Sequence, residues 1–101
     1  MDKLQLDGTP KSPLIFLDGE TGNFEISGRS IPENSAKFYY PLIEWVDKYL
    51  INPANLTSIN VRLEYFNTSS LKSLVELFRR FEKLLSVGKK VEILWYFEED
   101  D

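Results

Sequence analysis

The sequence contains no cysteine and no histidine in 101 residues. Without cysteine there are no disulfides, no thiolate metal sites and no thiol nucleophile, a pattern that fits a reducing compartment. Without histidine, the commonest general base and metal ligand near neutral pH is missing. Catalysis would fall to carboxylates, lysine, tyrosine and hydroxyls, so hydrolysis by the usual routes is not expected. Long apolar runs are also absent, none approaching the roughly 18–20 residues needed to span a bilayer. Met1-Asp2-Lys3-Leu4 has no basic segment leading into an apolar run, so no signal peptide is expected. The expectation is a cytoplasmic protein without membrane association. Basic charge is in deficit too, with 12 Lys and Arg against 16 Asp and Glu and a net charge of -4. That balance repels nucleic acid unless the cations gather on one face. Arg79, Arg80 and Lys83 form the only helical cluster, with Glu76 and Glu82 interspersed, and read as a solvated, salt-bridged face.

What is present is enough for one core. The chain is 43% hydrophobic and carries seven Phe, five Tyr and two Trp, which fits a single domain over residues 1–101. A domain of this size buries a smaller share of its surface than a larger one, which favours work at the surface over a deep pocket.

Hydropathy patterning divides the chain into short elements. Lys3–Leu6 reads as a brief first strand and Leu14–Leu17 as an apolar one. Asp18–Gly22 reads as a turn whose two glycines supply unusual backbone angles. Phe24–Ser27 alternates and completes an antiparallel hairpin, and Gly28–Pro32 is a loop. Asn34 or Ser35 caps a helix with Phe38, Leu42, Val46, Tyr49 and Leu50 on one stripe. Pro41 should kink that helix or restart it, and Asn52-Pro53 ends it. Ile59, Val61, Leu63 and Tyr65 alternate with polar residues, the clearest half-buried strand in the chain. A long helix then spans about Ser69 to Val87, with Leu71, Leu74, Val75, Phe78, Phe81, Leu84 and Leu85 on one face and Gly88 as its stop. Val91–Phe97 is the last strand. The order implies an α/β fold: a two-layer mixed sheet, an N-terminal hairpin plus βαβαβ, with two main helices on one face. Trp45 and Trp95 read as core residues, Asp18 and Glu20 as turn residues.

In open α/β sheets function collects at the carboxyl ends of the strands. That rim receives Gly28-Arg29-Ser30-Ile31, Asn67-Thr68-Ser69-Ser70, and Tyr96 onwards. Three adjacent hydroxyls where a strand hands over to a helix sit beside free amides and a partial positive charge, the groups that bind phosphate. Phosphorylation would add about 1.5 to 2 negative charges there near pH 7 and change what docks. Lys72, on the first turn, can help neutralise them. Asn67, Thr68 or Ser69 can equally serve as a plain cap, and the pattern alone favours capping. Chemistry alone does not choose among Thr68, Ser69 and Ser70. Phe66 falls off the inward phase of its strand, and exposure beside Thr68 and burial under the first helix both remain open. Other groupings are weaker. Gly19–Gly22 lacks the glycines and Lys-Ser/Thr of a phosphate-binding loop, and Glu98–Asp101 lacks the spacing and glycine of a calcium loop. The acidic run reads as a solvated tail, and neither cofactor nor metal is expected.

Two stretches go beyond generic pattern. Ile26-Ser-Gly-Arg-Ser-Ile-Pro-Glu-Asn-Ser-Ala-Lys-Phe-Tyr-Tyr-Pro-Leu-Ile-Glu-Trp45 and Leu63-Glu-Tyr-Phe-Asn-Thr-Ser-Ser-Leu-Lys-Ser-Leu74 resemble the SiaC family of bacterial regulatory phosphoproteins, as does the closing Trp95–Asp101. The resemblance implies a fold like that of the anti-sigma-factor antagonists, the STAS type, and a partner switch. It implies phosphorylation by a histidine-kinase-like Ser/Thr kinase and reversal by a metal-dependent Ser/Thr phosphatase. It further implies that the unphosphorylated form binds and activates a diguanylate cyclase, a link to cyclic-di-GMP signalling and biofilm control. The family's phosphoacceptor falls on Thr68, and Arg29, Ser30, Tyr65, Phe66, Asn67 and Lys72 are the expected partner or phosphate surroundings. Family members continue past the acidic run, whereas this sequence ends at Asp101.

Two competing functions follow from the same features. One is a constitutive interaction or oligomerisation module whose aromatic rim pairs with another copy. The other is an enzyme with a Ser or Thr nucleophile, for which Glu64 and Lys72 are the nearest charged groups and no ordinary activating base exists. The switched binding protein, not an enzyme, is the expected function.

Overall fold

The computed structural model describes residues 3–96. Its elements run β1 (Lys3–Leu6), β2 (Leu14–Asp18), β3 (Asn23–Ser30), α1 (Ser35–Tyr49), β4 (Leu56–Phe66), α2 (Thr68–Arg80), α3 (Glu82–Ser86) and β5 (Lys90–Tyr96). The strands lie in the sheet in chain order. The β1–β2 and β2–β3 pairs are antiparallel, and β3–β4 and β4–β5 are parallel. Parallel neighbours need long crossovers, which α1 and the α2–α3 pair supply. The turn between β2 and β3 closes when the Asp18 carboxylate accepts the Glu20 amide at 3.0 Å and the Gly22 amide reaches the Asp18 carbonyl at 2.9 Å. Only Gly22 of the two turn glycines has positive φ, at 81°.

One sheet face carries the core. Ile15, Leu17, Phe24, Ile26, Ile59 and Val61 are buried there against Tyr39, Leu42, Val46 and Tyr49 of α1 and Leu74 and Leu77 of α2. Phe24 reaches the ends of both main helices, its ring 5.1 Å from Tyr49 and 5.8 Å from Phe81. Both main helices therefore share one face, as expected. The opposite face is polar: Ser58 Oγ donates to the Glu92 carboxylate at 3.0 Å, and the Arg62 guanidinium lies 3.9 Å from the Tyr96 ring centre. Trp45 and Trp95 are half-buried and pack on the core.

Local details depart from the sequence reading. Asn34 caps α1 by accepting the Lys37 amide at 3.0 Å. Pro41 neither ends nor restarts this helix, which is one element from Ser35 to Tyr49. Pro41 lies on its exposed side, where water can satisfy the carbonyl that the ring leaves unpaired. The second helix is two: α2 stops at Arg80, and the Phe81 amide tightens onto the Phe78 carbonyl at 3.0 Å before α3 begins. Its inward stripe is Ser70, Leu74, Leu77, Phe81 and Leu84. Leu71, Val75 and Leu85 face outward, 39%, 42% and 64% exposed. The salt-bridged face expected around Arg80 is present, with Glu76 at 3.2 Å, and Arg80 also bonds Asp47 of α1 at 2.7 Å.

The loop expected at Gly28 is still strand. β3 runs to Ser30, and a bulge falls where Gly28 pairs with Leu63 but Arg29 pairs with Tyr65. Glu64 is the extra residue, and Gly28 takes φ 106°. One extra residue inverts every later side chain, because strand periodicity is two. Tyr65, expected inward, is therefore 54% exposed. Phe66 turns in and packs edge-on against Trp95 at 5.7 Å. The end of the last strand at Phe97, the Glu98–Asp101 run and the rim beyond Tyr96 lie outside the described residues. Among the described residues, no helix is long and apolar enough to cross a membrane.

Candidate functional site

Parallel pairing puts the ends of β3 and β4 side by side, with Ser30 opposite Phe66. The chain then turns into α2, and Asn67 organises the turn. Its amide donates to the Ser30 carbonyl at 3.2 Å, and its side-chain oxygen accepts the Ser70 amide at 2.8 Å. Asn67 is thus the cap, and the amides of Thr68 and Ser69 start the helix without intrahelical partners.

The three consecutive hydroxyls have different fates. Ser70 is fully buried, and its Oγ donates to the Ser30 carbonyl at 2.8 Å. With that proton committed, Ser70 Oγ accepts from Ser30 Oγ at 2.8 Å. Ser30 has then spent its own proton, so the Tyr39 hydroxyl must donate to Ser30 Oγ across 2.6 Å. Burial pushes the Tyr39 phenol above its ordinary pKa, which keeps it a donor. Ser35 Oγ, 3.2 Å from Ser70 Oγ and 2.9 Å from Ser69 Oγ, joins the start of α1 to this chain. Ser69 is exposed, but its Oγ is held between Ser35 and the Asn67 side chain. Thr68 is exposed, and its hydroxyl makes no hydrogen bond among the described residues.

The expected surroundings sort accordingly. Ser30 belongs to the interior network and presents nothing to a partner, because its side chain is completely covered. The same burial takes Ser70 out of a kinase's reach in the folded protein. Lys72 is exposed and lines one recess with Thr68, one helical turn away. Arg29 and Tyr65 are both exposed but engage each other, the guanidinium 5.6 Å from the ring centre and its Nε donating to the Pro10 carbonyl at 3.1 Å. Phe66 supports the rim from beneath, and Asn67 shapes it. Tyr39 and Ser35 are the residues that sequence reasoning missed. A tyrosine at helical spacing looks like core filler, and nothing local to Ser35 announces a partner in α2.

The chain as a whole is similar to known proteins in sequence and fold. The sequence matches the SiaC family of regulatory phosphoproteins over residues 6–101. It is 31% identical over 98 residues to an uncharacterised protein of Pseudomonas aeruginosa strain UCBPP-PA14, a match covering 97% of this chain and 78% of the relative. Among solved structures, apo-SiaC from Pseudomonas aeruginosa superposes with a TM-score of 0.89 at 31% identity, covering 97% of this chain and 81% of that one. A chain from the crystal structure of the Pseudomonas aeruginosa diguanylate cyclase SiaD in complex with its activator SiaC gives 0.81 at 31% identity, covering 89% and 74%. With a family match over nearly its whole length and the same fold in its relatives, the chain belongs to the SiaC family of regulatory phosphoproteins.

Proposed function

We propose that this protein is a phosphorylation-switched binding protein of the bacterial cytoplasm whose switch is Thr68. In its unphosphorylated form it binds and activates a diguanylate cyclase; phosphorylated on Thr68 it lets go. A Ser/Thr kinase sets the modification and a metal-dependent Ser/Thr phosphatase removes it, while the protein itself performs no chemistry. Residues 1–101 act as one domain in this scheme. The observation that carries the reading is the division of labour at the start of α2. Ser70 and Ser69 are tied into the fold, whereas Thr68 offers a hydroxyl to solvent beside unpaired helix amides and Lys72. The complex of SiaD with its activator SiaC supports the choice of partner. The chain's lack of histidine and cysteine supports a role without catalysis.

The test measures cyclic-di-GMP formation by the diguanylate cyclases of the protein's own cell, each mixed with unphosphorylated protein or with protein phosphorylated on Thr68. One cyclase should be stimulated by the first form and not by the second. If none responds, or if both forms stimulate equally, the switch is wrong.

A further inference from the structure

The sheet has two edges, and they are not equally protected. β1, at one edge, is only four residues long and carries Lys3, two features that discourage pairing. β5, at the other, runs from Lys90 to Tyr96 in unbroken register with β4, with no bulge to bend it away. No strand among the described residues pairs with its far side. The Lys90 amide donates to the Asn55 carbonyl, just before β4, at 3.0 Å. Backbone direction alternates along a strand, so Val91, Ile93 and Trp95 turn their amides and carbonyls to the open edge. Their side chains lie on the helix-covered face, level with the buried Thr57, Ile59 and Val61 of β4. The strand's own charges, Lys90 and Glu92, fall on the other face and leave this one unguarded.

Beside this edge a recess of about 430 Å³ opens between β5 and the α2–α3 junction, with Phe78, Leu85, Val91 and Ile93 in its lining. Leu85 is 64% exposed and Ile93 41%. The recess also carries one cation and one anion, Arg79 and Glu82, and neither makes an ion pair among the described residues. A contact between identical copies about a two-fold axis needs a patch complementary to itself. Apolar groups flanked by one charge of each sign meet that condition.

We infer that β5 is the interface for a second copy of this chain, the two β5 strands pairing antiparallel about a two-fold axis at Ile93 and joining both sheets into one. The register follows from the open groups. Hydrogen-bonded partners in an antiparallel pair exchange both bonds, so Ile93 opposes the partner's Ile93 and Val91 opposes the partner's Trp95. That register satisfies the outward amides and carbonyls of all three residues at once. The same axis sets the two recesses side by side, where Arg79 of each copy can reach the partner's Glu82. This surface is not the aromatic rim from which self-pairing was expected, and Thr68 lies outside it. The inference therefore goes beyond the switch and stands without it.

The chain lacks cysteine, so single substitutions report the contact directly. Cα atoms of a hydrogen-bonded antiparallel pair lie about 5.5 Å apart, within disulfide range. Ile93→Cys should therefore cross-link into a dimer under mild oxidation. Leu94→Cys, at 39% as exposed as Ile93, is displaced along the strand from its own copy beyond the roughly 7 Å limit and should not. Sedimentation velocity should show a monomer–dimer equilibrium that Ile93→Lys weakens at least about tenfold. Ile93→Thr keeps the strand preference while trimming the contact, and should weaken the dimer in the same direction. Arg79→Glu should weaken it several-fold, and Arg79→Glu/Glu82→Arg should restore it. Tyr65→Ser, on the aromatic rim, should leave it unchanged. A chain that stays monomeric up to about 1 mM, equal cross-linking of the two cysteine variants, a charge exchange that restores nothing, or a dimer that Tyr65→Ser weakens and the Ile93 variants do not would overturn the inference. None of these measurements involves phosphate or a cyclase, so the cyclase assay stands or falls separately.

Discussion

The Ser70 hydroxyl donates to the Ser30 carbonyl at 2.8 Å, joining the first turn of α2 to the last residue of β3. The contact lies two residues from Thr68 and holds the helix start at a fixed height above the sheet. Ser70→Ala removes the donor and strands Ser30 Oγ without its acceptor. Leaving buried polar groups unpaired costs about 1–3 kcal/mol. In a domain of this size each kcal/mol lowers Tm by roughly 4–8 °C. Thermal unfolding should show that loss. A Tm unchanged within about 2 °C would mean that water replaces the hydroxyl and that the clamp is weaker than its geometry suggests.

Capping and the proposed switch fall on different residues, and stability measurements can separate them. Asn67 takes the Ser70 amide, so Asn67→Ala should cost about 0.5–2 kcal/mol. Thr68 caps nothing, and Thr68→Ala should stay within about 0.5 kcal/mol of wild type, as exposed substitutions usually do. The sequence alone left the cap open among Asn67, Thr68 and Ser69; the structure gives it to Asn67. Urea denaturation of both variants checks the pair, and a Thr68→Ala protein as destabilised as Asn67→Ala would reassign the cap.

What the sequence reveals here depends on how local the cause is. The five strands, the parallel order of the last three and the shared face of the helices follow from alternation and from crossover length, both visible in the chain. The orientation of Tyr65 and Phe66 was not visible. It turns on a bulge that needs Gly28 of β3 opposite Leu63 of β4, a relation between distant segments. The rotation of α2 was hidden for a similar reason. Leu71, Leu74, Val75, Leu77 and Phe78 form a wide apolar arc, and periodicity alone does not say which part faces the sheet. The buried Ser70 decides it: residues four and seven on from Ser70, Leu74 and Leu77, turn inward, and Leu71 and Val75 are left outside. The hydroxyl segment itself was legible as a candidate site, because three such residues at a strand-to-helix step stand out locally. Their division into two bound and one free was not.

Gly22 and Gly88 share a backbone conformation but should differ in tolerance. Both have positive φ, 81° and 78°. A β-carbon at Gly22 would lie 2.3 Å from the Leu56 carbonyl oxygen, while nothing lies within 4 Å of one at Gly88. Gly88→Ala should cost only the left-handed strain, roughly 1–2 kcal/mol. Gly22→Ala adds a backbone collision at the point where Gly22 accepts the Ser58 amide at 2.8 Å, and it should cost well over about 3 kcal/mol. Comparing the two by chemical denaturation tests the tight approach of the β2–β3 turn to β4.

The interior phenol gives the fold an alkaline weakness with a definite sign. Burial raises the Tyr39 pKa above its ordinary value, against a smaller lowering from its hydrogen bond with Ser30. Below about pH 10 the phenol keeps its proton in folded and unfolded chains alike, so the folded state keeps its full advantage. Above that pH the unfolded chain releases the proton first, and stability falls until the folded phenol also ionises. Tyr39→Phe removes that release. It should cost about 0.5–1.5 kcal/mol near neutral pH through the lost hydrogen bond to Ser30, yet lose less on going from about pH 9 to pH 11 than wild type does. Tyr40, raised by the neighbouring Glu44 carboxylate, acts with the same sign, so the alkaline slope should shrink rather than vanish. Urea midpoints collected across this range decide the matter. Parallel pH profiles for the two proteins would show that the Tyr39 phenol does not titrate differently on folding, and its place as the fixed donor at the head of the hydroxyl chain would be lost.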